Sequence, residues 1–456
     1  MVDLAIFGTD GIRGKPGEFP LETAILRGLG SAFRKLLQER RLWPGREPLV
    51  LLSRDTRESG PRILAAVSQG FASAGFIPRD LGVLPTPALA YLTPAHEALL
   101  GCVISASHNP PEYNGVKFFG PNGQKISQDW EKRLQEYLPA LPRLKDFCLA
   151  RKPPPLQVAA ARERYQDFLR SQMSVEIDLS GLKAVVDCAQ GAAYKILPEV
   201  LSRLGVRVIA RGVEPNGRNI NAASGAMNPA ALGRAVVAFK ADIGLALDGD
   251  GDRLVVADEN GVVLAGEWIM ASVALERNRL REKGSRALVT TQVSNLALKY
   301  YLEKHQIGVL QTKVGDRWVL DKLQEEGLGF GGENSGHFIW ADRLPSADGS
   351  LGALILLAMM KSRARKASQV FVRFALLNQA SLQIPAAPAK PPLETLPDFL
   401  AELAQTSKAL DHRGRALVRY SGTEPVLRVL LEGSLPKTRL RAMAYSLEKA
   451  YRKAVE

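Results

Sequence analysis

The chain has 456 residues, 46% of them hydrophobic and 23% charged, which allows several buried cores and excludes a disordered or fibrous polypeptide. At roughly 100–200 residues per domain there is room for about three or four. The net charge of +13 admits nucleic acid, an acidic membrane surface or anionic metabolites as partners, but Lys and Arg are scattered among acids.

No nucleic-acid motif is found, and no apolar run reaches the ~18 residues of a membrane helix. Anionic small molecules are therefore the expected partners, with neither nucleic acid nor membrane. The opening "MVDLAIFGTDGIRG" lacks the basic-then-apolar order of a secretory signal. Cys102, Cys148 and Cys188 are far apart and form no CxxC pair. Both observations lead to the expectation of a cytoplasmic protein in a reducing compartment.

In chain order, the first clear strand is "PLVLLSRDTR" (48–57), followed by a helical pattern and a second strand in "SAGFIPRDLG". The same order recurs at "LKAVVDCAQG" (182–191) with "SRLGVRVIARG", and at "RALVTTQVSN" (286–295) with "HQIGVLQTKVG". Each second strand carries two glycines seven apart: Gly75 and Gly82, Gly205 and Gly212, Gly308 and Gly315. The first of each pair is expected to end a helix in the left-handed conformation, and the second to turn the chain after a short buried strand. Strand, helix and strand in this order predict parallel pairing with helices on the sheet faces. Three copies predict three related α/β domains, and the tail from about residue 370, with no matching repeat, a smaller α+β domain. The Pro-rich stretch 150–157 reads as a linker, and that at 383–397 as a loop. The expected domains are 1–153, 154–255, 256–369 and 370–456.

Ligands of such sheets bind at the carboxyl ends of the strands, where "SRDTR", "SASHNP", "DGDGDR" and "TKVGDR" fall. In "SASHNP", Ser107 alone reads as a turn residue ahead of Asn109-Pro110, since a lone serine is a poor nucleophile and no GxSxG elbow marks a hydrolase. His108 alone reads as a surface or packing residue. Lys117, in the apolar "NGVKFF", is either snorkelling or held near a site.

"LALDGDGDRLVVAD" carries more information. Asp248, Asp250 and Asp252 follow a buried strand, separated by Gly249 and Gly251. Three carboxylates so close repel one another without a cation. Hard oxygen ligands suit Mg²⁺. An EF-hand is the rival, with Glu259 at the twelfth position, but the sixth is Arg253 rather than Gly, and strands flank the loop.

"GGENSGHFIW" (331–340) groups Glu333, Asn334, Ser335 and His337, a set of donors and acceptors suited to sugar hydroxyls. In "VRYSGTEPVLRVLLEG" (418–433), Arg419 and Arg428 flank Ser421, Gly422 and Thr423. Arginine forks and turn amides match a phosphate. A metal site, a serine, a hydroxyl-reading loop and a phosphate clamp together point to phosphoryl transfer on a phosphorylated sugar.

"FGTDGIRG", "SASHNPPEYNGVKFF", "DGDGDR", "KVGDRWV", "GGENSGH" and "RYSGTEPVLRV" resemble, in order and spacing, the α-D-phosphohexomutase superfamily. Within it, "FGTDGIRG" and "GENSGH" look most like the phosphoglucosamine mutase branch. Tyr420, where proline is common, is a departure from that pattern. The resemblance implies four domains around a central cleft, the first three α/β with mixed or parallel sheets. It also implies interconversion of 6-phospho and 1-phospho hexoses, here glucosamine phosphate, through a sugar 1,6-bisphosphate. Phosphoglucomutase/phosphomannomutase is the alternative, and a non-catalytic sugar-phosphate sensor is disfavoured by the intact serine and metal loop. Ser107 would be a phosphoserine whose phosphate adds an oxygen to Mg²⁺ beside the three aspartates. Arg13, Lys117 and Arg253 would lie near the transferring group, with His108 or Lys117 handling the proton. Glu333 and Ser335 would hold sugar hydroxyls. Arg419, Ser421, Gly422, Thr423 and Arg428 would hold the phosphate that stays. A monomer or homodimer is expected.

Overall fold

A computed structural model describes residues 6–8, 10–43, 48–138, 156–157, 160–173, 178–387, 390–410, 413–421 and 425–455. Four sheets follow one another along the chain. The first has six strands in the order Ile12–Gly14, Asn114–Phe119, Leu100–Ile104, Leu49–Arg54, Ile77–Val83 and Leu156–Gln157. Two interior strands, Leu100–Ile104 and Asn114–Phe119, are buried along their whole length, as expected of strands covered on both faces. Side chains alternate between those faces. Val50, Leu52, Cys102, Ile104 and Phe118 pack under the helices Thr23–Glu39 and Gly60–Ser73. Leu51, Val103 and Phe119 point the other way, into a core shared with the second and third sheets. That shared core joins the first three units into one body.

The second sheet runs Leu254–Asp258, Ile243–Leu247, Lys183–Asp187, Arg207–Arg211, and the third Gly308–Thr312, Ala287–Thr291, Phe330–Gly332, Phe338–Trp340. The repeated strand–helix–strand units are parallel in all three sheets. Each of these sheets also carries an antiparallel strand toward one edge, so they are mixed. The fourth sheet, Asn378–Pro385, Val426–Gly433 and Arg415–Tyr420, is wholly antiparallel, with helices Pro397–Ala409 and Lys437–Val455 on one face.

Several details differ from the sequence reading. Arg207–Arg211 and Gly308–Thr312 are half-exposed edge strands rather than short buried ones. Gly75 and Gly205 are left-handed as expected, with φ of 85° each. In the third copy Gln306 takes that conformation, at φ 61°, and Gly308 begins the strand against Ala287. The last strand of the second sheet runs to Asp258, three residues past 255. Helix Gly349–Arg363 packs back on the second sheet's Ile243–Leu247 and Leu254–Asp258. Leu156–Gln157, at the end of the Pro-rich stretch, pairs with Ile77–Val83 of the first sheet, and 150–155 lie outside the described residues. Among the described residues no helix is long and apolar enough to cross a membrane.

Candidate active site

Ser107 sits on the loop after the buried strand Leu100–Ile104, and Asp248 begins the loop after Ile243–Leu247. Ser107 Oγ donates to Asp248 Oδ2 at 2.7 Å, although the residues are 141 apart in sequence. The serine has φ 52°, a left-handed conformation uncommon without glycine and costing about 1–3 kcal/mol.

Neighbouring groups hold it there. Its amide donates to Ser105 Oγ at 2.9 Å, and Ser105 Oγ donates to Asp55 at 2.6 Å. Its carbonyl accepts from Arg57 Nη2 at 3.0 Å and Asn221 Nδ2 at 2.9 Å. Arg57 is fully buried. It pairs with Asp55 at 2.9 Å and also donates to the carbonyls of Asn109, Pro110 and Tyr113. A Cβ on residue 249 would meet the Ser107 carbonyl at 2.6 Å, so glycine there lets the two loops touch.

Asp248, Asp250 and Asp252 are buried, and each offers a carboxylate oxygen within 4.8 Å of the others. Burial, with Asp252 and Asp250 adding repulsion, pushes the Asp248 carboxyl up to about 7. Burial also opposes the Asp252 charge, but Lys117 and His337 outweigh it and hold that carboxyl well below the usual range. Asp250 Oδ2 accepts from Thr86 Oγ1 at 2.6 Å and Lys117 Nζ at 2.8 Å, while Oδ1 is buried with no partner among the described residues. An all-oxygen set with mutual repulsion and an orphaned carboxylate oxygen fits a hard divalent cation.

Lys117 is 2% exposed and lies 2.9 Å from Asp10, 2.8 Å from Asp250 and 3.4 Å from Asp252. Burial opposes its charge, yet these carboxylates raise its pKa well above the ordinary value. Asp10 is shared. Burial opposes its charge too, but Lys117, Lys125 and Arg13 hold it well below the carboxylate range. Arg13 donates to Asp10 at 2.7 Å and reaches Ala106 O and Asn109 Oδ1 at 3.4 Å, which puts it against the serine loop. His108 Nδ1 is 3.4 Å from Ser107 Oγ. Burial, then Arg253 and Arg13, lower His108 to about 4.

The loop expected to read sugar hydroxyls divides. Glu333 is buried, accepting from Gly315 N at 3.0 Å and standing 2.8 Å from His337 Nδ1. His337 Nε2 is 3.2 Å from Asp252 Oδ1. Burial opposes its charge, but Asp252 raises it to about 10. Its Nδ1 faces Glu333, and its Nε2 faces Asp252 and also receives Arg253 Nε at 3.1 Å. His337 therefore reaches the metal loop as well as the sugar loop. Asn334 and Ser335 are exposed. Arg253 lies 3.9 Å from Asp248 and its amide donates to Asp248 Oδ1 at 3.3 Å.

The residues expected to clamp a phosphate stand on the fourth sheet. Arg419 and Arg428 face each other across the antiparallel pair. Burial and the Arg428 charge lower the Arg419 pKa, a like-charge pairing that an anion would relieve. Ser421 is buried and donates its amide to Val426 O at 2.8 Å; Gly422 and Thr423 lie outside the described residues.

Sequence reasoning assigned no role to Asp10, Asp55, Thr86, Arg57, Ser105 or Asn221. Asp10 lies inside "FGTDGIRG" and Asp55 and Arg57 inside "SRDTR", so the signal was a polar cluster at a strand end. Nothing local marks Asn221.

The models for phosphoglucomutase/phosphomannomutase match along the chain: alpha/beta/alpha domain I at residues 4–142, domain II at 163–261, domain III at 265–375 and the C-terminal domain at 383–450. The chain is 41% identical over 433 residues to a phosphoglucosamine mutase of Dechloromonas aromatica, covering 94% of each. It is 38% identical over 456 residues to one of Anaeromyxobacter sp., covering 99% and 96%. A phosphoglucomutase/phosphomannomutase family protein from Burkholderia thailandensis has the same fold, with a TM-score of 0.79 at 23% identity over 100% of this chain and 99% of that one. So does Aspergillus fumigatus N-acetylphosphoglucosamine mutase, solved with GlcNAc-6P and magnesium, at TM-score 0.65 and 16% identity over 99% and 96%. The chain belongs to the phosphoglucomutase/phosphomannomutase family and is a phosphohexomutase.

Proposed function

We propose that the chain interconverts glucosamine 6-phosphate and glucosamine 1-phosphate, with Ser107 as the phosphoryl carrier. The observation that carries this reading is Ser107 Oγ bonded to Asp248 inside a ring of three buried aspartates. The substrate is supported by relatives named phosphoglucosamine mutase at about 40% identity over nearly the whole chain. Mg²⁺ is supported by the all-oxygen donors, and would be held by Asp248, Asp250, Asp252 and the Ser107 phosphate. When bound it neutralises charge on the transferring phosphoryl group.

The chain's own residues supply the rest. Phosphorylated Ser107 gives its phosphoryl group to the free hydroxyl of the hexose phosphate, forming a 1,6-bisphosphate. After the sugar turns over, Ser107 takes back the other phosphoryl group. An added sugar 1,6-bisphosphate would load the serine in the same way. Lys117, Arg13 and Arg253 are cations aimed at the phosphoryl position. Lys117, fixed as a cation by three carboxylates, is better suited to steady charge than to accept a proton. His108, neutral at pH 7 and 3.4 Å from Ser107 Oγ, is the group placed to accept the proton, as a weak base. Glu333, Ser335 and His337 hold sugar hydroxyls, Asn334 borders them, and Arg419, Ser421 and Arg428 hold the phosphate that stays.

The test is turnover of glucosamine 6-phosphate, glucose 1-phosphate and mannose 1-phosphate under one set of conditions, with intact mass read before and after sugar 1,6-bisphosphate. Glucosamine phosphate should be converted fastest, without steady release of inorganic phosphate. The mass should rise by one phosphoryl group, and Ser107→Ala should abolish both the gain and at least about 10⁴-fold of the rate. Turnover of glucose and mannose phosphates alone would make the chain a phosphoglucomutase/phosphomannomutase.

A further inference from the structure

The fourth sheet has two unlike faces. Ala380, Ile384, Leu427, Val429 and Leu431 lie under its two helices. The opposite face carries Gln379, Glu432 and Arg415 in one cross-strand row, and Gln383, Arg428 and Arg419 in another. The rows are four residues apart, about 13 Å along the strands, and alternation puts them on the same face. One row is the phosphate clamp. Gln383, beside the clamp, is exposed.

The other row is fastened. Glu432 is fully buried and accepts from Leu296 N at 3.0 Å, Gln379 Nε2 at 3.0 Å and Arg415 Nε at 2.8 Å. Leu296 opens the helix Leu296–Lys304 of the third unit, so a carboxylate of the fourth unit meets the positive end of that helix. Arg415 also donates to Ser294 O at 2.7 Å. Asn295, between them, exchanges two hydrogen bonds with the backbone of Leu377, at 3.0 and 3.1 Å. Glu267 accepts the Asn295 amide at 2.9 Å and ties this point to the third unit's own frame. Hydrogen bonds joining the third and fourth units thus gather on three consecutive residues, Ser294 to Leu296.

We propose that Glu432, with Arg415, is a positioning residue: it anchors one end of the fourth sheet to the third unit and so sets where the clamp at the other end meets the substrate phosphate. The sheet acts as a short lever with its fixed point at Glu432 and its grip at Arg419 and Arg428. Because both half-reactions grip the phosphate not being transferred, the anchor affects both directions alike and leaves the chemistry at Ser107 untouched. This inference rests on reading Arg419 and Arg428 as the clamp.

The full-length Glu432→Gln variant keeps the shape and removes the charge that organises the row. It should raise KM for both the 6-phosphate and the 1-phosphate by about tenfold or more, the scale of effect expected from a displacement near 1 Å, with kcat changed far less. Phosphoserine occupancy by intact mass should stay at the wild-type level, and small-angle scattering should show a larger radius of gyration. Arg415→Lys keeps the charge pair but loses the fork, and should shift KM in the same direction by less. Arg428→Ala tests the clamp alone and should raise KM without changing the radius. If Arg428→Ala raises KM while Glu432→Gln and Arg415→Lys leave it unchanged, the anchor is wrong and the clamp stands. An Arg428→Ala variant with normal KM overturns the clamp, and the lever with it. A Glu432→Gln variant that loses kcat at constant KM also overturns the proposal. If Glu432→Gln does not fold, Arg415→Lys decides by the same criterion.

Discussion

Ser107 is held in a left-handed turn by a guanidinium with no exposed surface. Arg57 spans the carbonyls of Ser107, Asn109, Pro110 and Tyr113 while paired with Asp55, so one planar fork shapes the whole serine loop. Lysine carries the same charge as a single point and cannot satisfy four carbonyls at once. Arg57→Lys is expected to lower kcat by about 10–100-fold with little change in KM, because the serine drifts from the aspartates rather than losing a substrate contact. Arg57→Met leaves Asp55 buried without its partner and is expected to cost about 3–5 kcal/mol, read as a lower melting temperature. Wild-type kcat in Arg57→Lys would mean that the loop keeps its shape without the fork. The three aspartates and the paired arginines were legible because "DGDGDR" and "RYSGTEPVLRV" concentrate charge in a few positions, whereas Ser107 read alone as a turn residue and gained a role only from those motifs and the family resemblance. Arg57 was not, because its partners are backbone carbonyls, which every sequence supplies.

One helix with a buried cap packs directly against the loop of the three aspartates. Helix Gly349–Arg363 begins against that loop: Gly349 N donates to Gly251 O at 3.1 Å, and a Cβ there would lie 2.4 Å from Arg253 O. Its cap, Asp348, accepts Ser350 N at 2.9 Å, Leu351 N at 3.0 Å and Tyr165 Oη at 2.7 Å, all buried. Burial outweighs these bonds and pushes the Asp348 carboxyl up to about 6. A carboxyl raised above its unfolded value near 3.8 favours the fold when protonated. Its contribution is full below about pH 4 and is lost as pH rises through about 6, a change of about 3 kcal/mol. Asp348→Asn keeps the cap acceptor and cannot ionise, so thermal melts in EDTA should show the variant gaining on wild type between pH 4 and 7. A pH-independent gap would mean that the carboxyl titrates normally. The elements themselves were readable from apolar runs and strand-end glycines. Exposure of the edge strands was not: "RVIAR" and "GVLQT" have the composition of core strands, and only sheet order places them at a rim.

Across the whole molecule, the first three units and the fourth are held together differently, and kinetics should separate them. The first three share one apolar core, and the first and third are also joined by ions. Lys125 Nζ lies 2.6 Å from Asp10 and 2.8 and 2.9 Å from Asp316, and Arg317 grips Glu131 at 2.6 and 3.1 Å. Lys125 and Asp316 are 191 residues apart, and no periodicity or local motif in one sequence pairs them. The repeat predicted three like units but could not say which edges meet. Asp10 makes this join chemical as well as mechanical, because the same carboxylate pairs with Lys117 and Arg13, which border the serine loop and the aspartate ring. Lys125→Met removes the bridging cation and leaves Asp10 and Asp316 facing each other with like charge. Lys117 and Arg13 would then be drawn toward Asp10 and away from the aspartate ring. The expected result is a fall in kcat of about 10–100-fold at nearly constant KM, opposite to the KM effect expected of the Glu432 anchor. Hydrogen exchange should rise in helices Gln128–Tyr137 and Asp316–Glu326, which carry Glu131 and the Asp316–Arg317 pair, and stay unchanged in the fourth unit. A rise in KM with kcat intact would show instead that Lys125 serves the substrate phosphate directly, and the ion bridge would lose its catalytic meaning.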